Sequence, residues 1–221
     1  LEKELHEVYP QNLNFKNSLA ISYSKLGETH SALGNLPTAL TFFEVYNRLE
    51  KELHEVYPQN VNFKNSLAIS YSKLGETHSA LGNLKEAKDF YEEMSRLFKE
   101  LHESYPQNVK FKEGLGWANQ FLGNTHNALG NLNETKDYYE EMSRLFKELH
   151  EAYPQNVKFK AGLATSYLKL GHFYKNNQNE PETARHYIQK GYELYEQLVR
   201  DFPDYHTFRK NYEWAKAQLG Q

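Results

Sequence analysis

The sequence predicts an all-α chain, an α-solenoid of antiparallel helical hairpins stacked side by side. Repetition, the placement of proline and the spacing of apolar residues all point to it. Residues 1–36, LEKELHEVYPQNLNFKNSLAISYSKLGETHSALGNL, return at 49–84 with one change, Leu13 becoming Val61, and the register runs on through Leu97 and Leu145. A fixed period of this size marks an array in which each unit is one supersecondary element and buries its apolar flank only by stacking on a neighbour.

Proline divides each unit. Pro10, Pro58, Pro106, Pro154 and Pro203 follow one amphipathic segment, and Pro37 and Pro181 open another. Proline lacks the donor that a helix interior needs but suits a first turn. Between these points Ala87, Phe90, Tyr91, Met94, Leu97, Phe98 and Leu101 recur at three- and four-residue spacing, so 85–105 reads as one helix. Its partner runs from about Asn60 to Leu81, with Phe63, Leu67, Tyr71, Leu74, His78 and Leu81 on one side and Gly82-Asn83 as the turn that ends it. The predicted organisation is a half repeat at 1–11, hairpins at 12–59, 60–107, 108–155 and 156–202, and a capping helix at 203–221. In that last helix Tyr205, Phe208, Tyr212, Ala215 and Leu219 form the stripe, and Asp204 is the expected N-cap. The N-terminal flank has no such cap, and a missing repeat or a homotypic contact is expected there.

Within each hairpin a motif recurs: Tyr71, Leu74-Gly75, His78, Gly82, Ala87 and Tyr91 in one unit, and Tyr23, Leu26-Gly27, His30, Gly34, Ala39 and Phe43 in the unit before it. Asn119, Leu122-Gly123, His126, Gly130, Thr135 and Tyr139 continue it, then Tyr167, Leu170-Gly171, Tyr174, Ala184 and Tyr187 or Ile188, with one extra residue near Pro181. This pattern resembles the tetratricopeptide repeat (TPR), here with a period of 48 residues, from Leu1 to Leu49, in place of the usual 34 or so. A surplus of about twice seven residues adds nearly two turns to each helix and returns the apolar stripe to the same side. The mid-helix glycines 27, 75, 123 and 171 each cost about 1 kcal/mol relative to alanine, and close helix approach is the expected reason.

Composition bounds the chemistry. Net charge −3 and 25% charged residues give no general attraction to a phosphate backbone, so nucleic acid is not an expected partner. No apolar run is long enough to span a membrane, and no leader stands at the start, which makes the cytoplasm the default compartment. A start at Leu1, without Met and inside a repeat, predicts a fragment of a longer protein. There is no cysteine. His6, His54, His102 and His150 form one 48-residue column and His30, His78 and His126 another, and no His-x-x-x-His pair suggests a metal. Glu92-Glu93 and Glu140-Glu141 read as solvated faces. With no phosphate loop and no nucleophile elbow, neither catalytic residues nor a cofactor nor a metal is predicted.

Function is therefore sought on the surface, where later units depart from the first two. Ile21, Ile69, Trp117, Thr165 and Trp214 share one column, which both tryptophans occupy. By resemblance to the repeat family, the inner face of the first helices forms a concave groove for a peptide or partner helix. The residues implied to line it are Trp117, Gln120, Asn124, Asn127, Glu28, Glu76, Ser72, His172, Lys175 and Trp214. That face reads as neutral to mildly acidic, without a basic clamp, and the expected ligand is a peptide with basic or aromatic side chains. Packing between first helices is the alternative role for Trp117 and Trp214. A protein-interaction scaffold is the leading functional reading. The alternatives are a sensor or regulatory arm of a larger bacterial effector and a structural spacer or self-assembling rod.

Overall fold

A computed structural model describes residues 2–220 and contains ten α-helices. They are α1 (Glu2–Val8), α2 (Leu13–Ala32), α3 (Leu36–Val56), α4 (Val61–Ala80), α5 (Leu84–Ser104), α6 (Val109–Leu129), α7 (Leu132–Ala152), α8 (Val157–Phe173), α9 (Pro181–Asp201) and α10 (His206–Leu219). No strand occurs among the described residues. The fold is an all-α, TPR-like solenoid of paired helices. It divides into two compact units, Leu1–Phe111 and Lys112–Gln221, so the first three residues of α6 belong to the first unit and the rest to the second.

In the first unit α1 packs on α2, α2 on α3, α3 on α4 and α4 on α5. Local chemistry sets where these helices begin. Asn12 and Asn60 each turn a side-chain oxygen onto two backbone N–H groups of the following first turn, at 3.0 and 3.3 Å. Such a cap satisfies donors that a helix start would otherwise leave without partners. At the other end of α4, Gly82 takes φ +83°, with Asn83 N–H bonded to His78 O and Gly82 N–H to Ser79 O. A side chain is disfavoured in that left-handed conformation, and the two bonds close the helix. The core of the unit gathers Leu19, Ala20, Ala39, Phe43, Tyr46, Leu49 and Leu74.

The mid-helix glycines are close-approach positions. A Cβ on Gly75 would lie 2.5 Å from the Tyr91 ring, and one on Gly27 would lie 2.5 Å from Phe43. In the second unit Gly123 faces Tyr139 and Gly171 faces Ile188 in the same way. The histidines of one column act as aromatic partners: His30 and His78 lie 5.2 Å from Phe42 and Phe90, and His126 lies 5.2 Å from Tyr138.

In the second unit α7 packs on α8, α8 on α9 and α9 on α10. Asn156 caps α8 as Asn12 and Asn60 cap theirs. The extra residue near Pro181 is absorbed just before it. After Phe173 the chain makes a π-helical turn, Tyr174–Gln178, and leaves it through Asn179 in the left-handed region at φ +52°. Tyr174 stacks on Tyr187 at 5.6 Å, which holds that turn against α9. Asp204 does not cap α10. The cap residue is Tyr205, without a side-chain hydrogen bond, because the turn after Pro203 carries the helix start one residue further on. The α10 stripe buries Phe208, Ala215 and Leu219 against Ala164, Leu168, Ile188, Tyr195 and Leu198, while Tyr205 stays exposed.

Candidate functional site

A groove of about 470 Å³ lies within the second unit. Asn124 and Asn127 of α6, Tyr139 of α7, Thr165, Leu168, Lys169 and His172 of α8, and Lys210, Asn211 and Trp214 of α10 line it. The register explains the convergence, since α6, α8 and α10 occupy equivalent places in successive repeats and present equivalent faces.

Hydrogen bonds fix which way the groove's amides point. Tyr139 donates its hydroxyl to Asn124 Oδ1 at 2.9 Å, and Asn177 in the π-helical turn donates its amide to Asn127 Oδ1 at 2.7 Å. Both carbonyl oxygens are therefore engaged, which leaves the Asn124 and Asn127 NH₂ groups as donors. Burial pushes the Tyr139 hydroxyl pKa up to about 12, so it stays protonated and keeps donating. Thr165 and Asn211 both bond the Tyr195 hydroxyl at 2.7 Å, tying α8 and α10 together beneath the groove. Lys175 of the π-helical turn donates to Gln218 Oε1 of α10 at 2.7 Å, a second tie to that helix.

The electrostatics are one-sided. No aspartate or glutamate is among the lining residues, whereas Lys169 and Lys210 are. The Lys169 amine is half-buried, and burial holds its pKa below the usual lysine range. The His172 pKa is lowered as well, first by burial and then by Lys169 and Lys175. The expectation of a neutral to mildly acidic face without a basic clamp does not describe this groove. The reason is positional: Lys169 and Lys210 lie off the columns from which that expectation was drawn.

Of the residues singled out in sequence, Asn124, Asn127, His172 and Trp214 line this groove. His172 and Trp214 face each other with ring centroids 6.0 Å apart. Gln120 is half-buried, its Oε1 enclosed without a hydrogen-bond partner. Trp117 sits elsewhere, edge-to-face on Phe146 at 4.7 Å with its indole N–H 3.4 Å from Glu113 Oε1. Replacing Trp117 with alanine should cost about 2–3 kcal/mol, less than a fully buried aromatic, measured by urea unfolding. Peptide capture by the groove should survive that change. In the first unit Glu28 is exposed and ion-paired to Lys73, the Glu76 carboxyl pKa is raised by desolvation against the opposing charge of Lys73, and Ser72 is buried, bonding back to Ile69 O.

Sequence reasoning passed over Lys169, Lys210 and Asn211. A signal for Lys169 was present: past Phe121 it restores the lysine of Lys25 and Lys73, while Asn124 replaces the Glu28 and Glu76 of the neighbouring column.

A family model described as a tetratricopeptide repeat matches residues 67–104, which span α4 from Leu67 to the end of α5. Residues 67–104 carry a tetratricopeptide repeat. The 48-residue register carries the matched hairpin to the others, with Gly27, Gly123 and Gly171 in the contacts Gly75 makes. Among solved structures, the repeats resemble BtubC (BKLC) from P. vanneervenii, with a TM-score of 0.66 and 16% identity over 93% of this chain and 76% of that one. They also resemble MamA, with a TM-score of 0.54 and 16% identity over 90% of this chain and 87% of that one. At such identity the likeness is one of fold. No curated protein matches the sequence. Tetratricopeptide-repeat folds are generally protein–protein interaction scaffolds, and no helix among the described residues is long and apolar enough to cross a membrane.

Proposed function

We propose that the chain is a protein-interaction scaffold that holds a peptide segment of its partner in the groove between α6, α8 and α10. The observation that carries this reading is the groove itself. It combines apolar walls, Leu168 and Trp214, with the ammonium groups of Lys169 and Lys210 and with amide donors of Asn124 and Asn127 whose directions are fixed by Tyr139 and Asn177. Apolar surface beside a few oriented polar groups is the composition of a recognition site. The repeats supply rigidity, so a ligand meets a preformed surface and pays little ordering entropy on the receptor side.

Intrinsic fluorescence tests it directly. The chain has two tryptophans, and Trp117→Phe leaves Trp214 in the groove as the sole indole. Peptides that bind the whole chain should shift Trp214 emission saturably and protect α6, α8 and α10 amides from hydrogen exchange. Binding that leaves both unchanged would place the interaction elsewhere and sink this reading.

A further inference from the structure

The first unit contains an ion pair with no counterpart among the described residues of the second. Glu28 of α2 meets Lys73 of α4 at 2.8 Å. Two repeats further on, the same register positions are Asn124 of α6 and Lys169 of α8, so the lysine is retained and the acid is gone. No hydrogen bond or ion pair joins the Lys169 amine to another described residue, and both residues line the groove. We propose that an aspartate or glutamate side chain of the bound partner segment supplies the missing carboxylate, seated on Lys169. This rests on the reading of the groove as a peptide site.

Four features favour an internal acidic side chain. A half-buried ammonium without a counter-ion carries a desolvation cost that a carboxylate offsets, a neutral ligand leaves standing, and a basic ligand increases. The Asn124 and Asn127 carbonyls are occupied by Tyr139 and Asn177, so both amides offer donors, which suit an acceptor-only group. In the first unit the acid reaching the lysine is a glutamate side chain extending from a continuing backbone. Leu168 and Trp214 beside Lys169 give apolar surface for the residues flanking the acid.

The test is a library of N-acetylated, C-terminally amidated dodecapeptides screened with the whole chain carrying Trp117→Phe, binding being read from Trp214 emission. Hits should share an acidic residue at one position, and changing it to Asn or Gln should weaken binding roughly 10- to 100-fold, the worth of a hydrogen bond to a charged group. Lys169→Gln should weaken an acidic hit by the same factor and leave its amide counterpart unaffected. Asn124→Glu rebuilds the pair seen in the first unit and should abolish the acidic preference without lowering the melting temperature. Hits that shift Trp214 with no acidic preference would overturn the proposal and leave the scaffold reading intact. So would peptides that are silent when amidated but shift Trp214 when remade with a free C-terminal carboxylate. If no peptide shifts Trp214 in either form, both readings are overturned.

Discussion

Replacing Phe146 with alanine should remove about 3–5 kcal/mol from the second unit, among the largest losses a single core truncation produces. Phe146 is fully buried on α7, and its ring fills space that two glycines leave open. A Cβ on Gly116 of α6 would lie 2.8 Å from the ring, and one on Gly162 of α8 would overlap it. Trp117 covers the ring edge at 4.7 Å. The ring is therefore shared by three helices, and its loss opens a cavity that none of them can fill alone. Gly162→Ala should cost about 1–3 kcal/mol by overpacking the same space. Combined with Phe146→Ala it should cost less than the sum, because the added methyl enters the cavity that the truncation leaves. Urea unfolding followed by Trp117 emission, with hydrogen exchange in α6, α7 and α8, reads these effects. Additive losses would show that the glycines and the ring do not share one space.

Repetition made the hairpins legible. Near-identical copies show which residues stacking requires, and the Leu-Gly pair stands where an aromatic or aliphatic side chain from the following helix presses on the backbone. The groove was legible in part. Asn124, Asn127, His172 and Trp214 stood out as departures within columns, and the structure brings them together. Lys169 did not stand out, because after Phe121 it returns to the lysine of Lys25 and Lys73, and only the change of its partner position alters what it does. A column-by-column reading finds a changed residue more easily than a residue whose neighbour has changed. The π-helical turn was equally hard to foresee. One extra residue could have lengthened a loop, but stacking of Tyr174 on Tyr187 keeps the chain helical and wider there, which brings Asn177 within reach of Asn127. Asp204 misled because capping chemistry favours aspartate, whereas the turn at residues 203–204 leaves Tyr205 in the cap position.

The same register points to Glu50, which stands where Phe98, Phe146 and, with the extra residue allowed for, Tyr195 stand in later repeats. The counterparts of the glycines around Phe146 are Ala20 and Ser66, which carry the side-chain bulk that those glycines lack. Glu50 is 1% exposed, and its Oε2 has no hydrogen-bond partner. Burial raises its carboxyl pKa from 4.5 to about 7. The folded state thus holds this proton more tightly than the unfolded chain does. Its contribution to stability is fully present below about pH 4.5, declines as pH rises toward 7, and is lost above that. At 1.36 kcal/mol per unit the swing amounts to about 3 kcal/mol. His54 in the same unit acts in the opposite direction: burial and then Lys64 lower its pKa below 6.5, so its contribution is lost as pH falls. The difference between the wild type and Glu50→Gln removes that background. Measured by urea unfolding from about pH 4 to pH 8 with hydrogen exchange in α3, the variant should gain about 3 kcal/mol on the wild type across the range. A difference that does not change with pH would mean that Glu50 is charged and solvated in the folded chain.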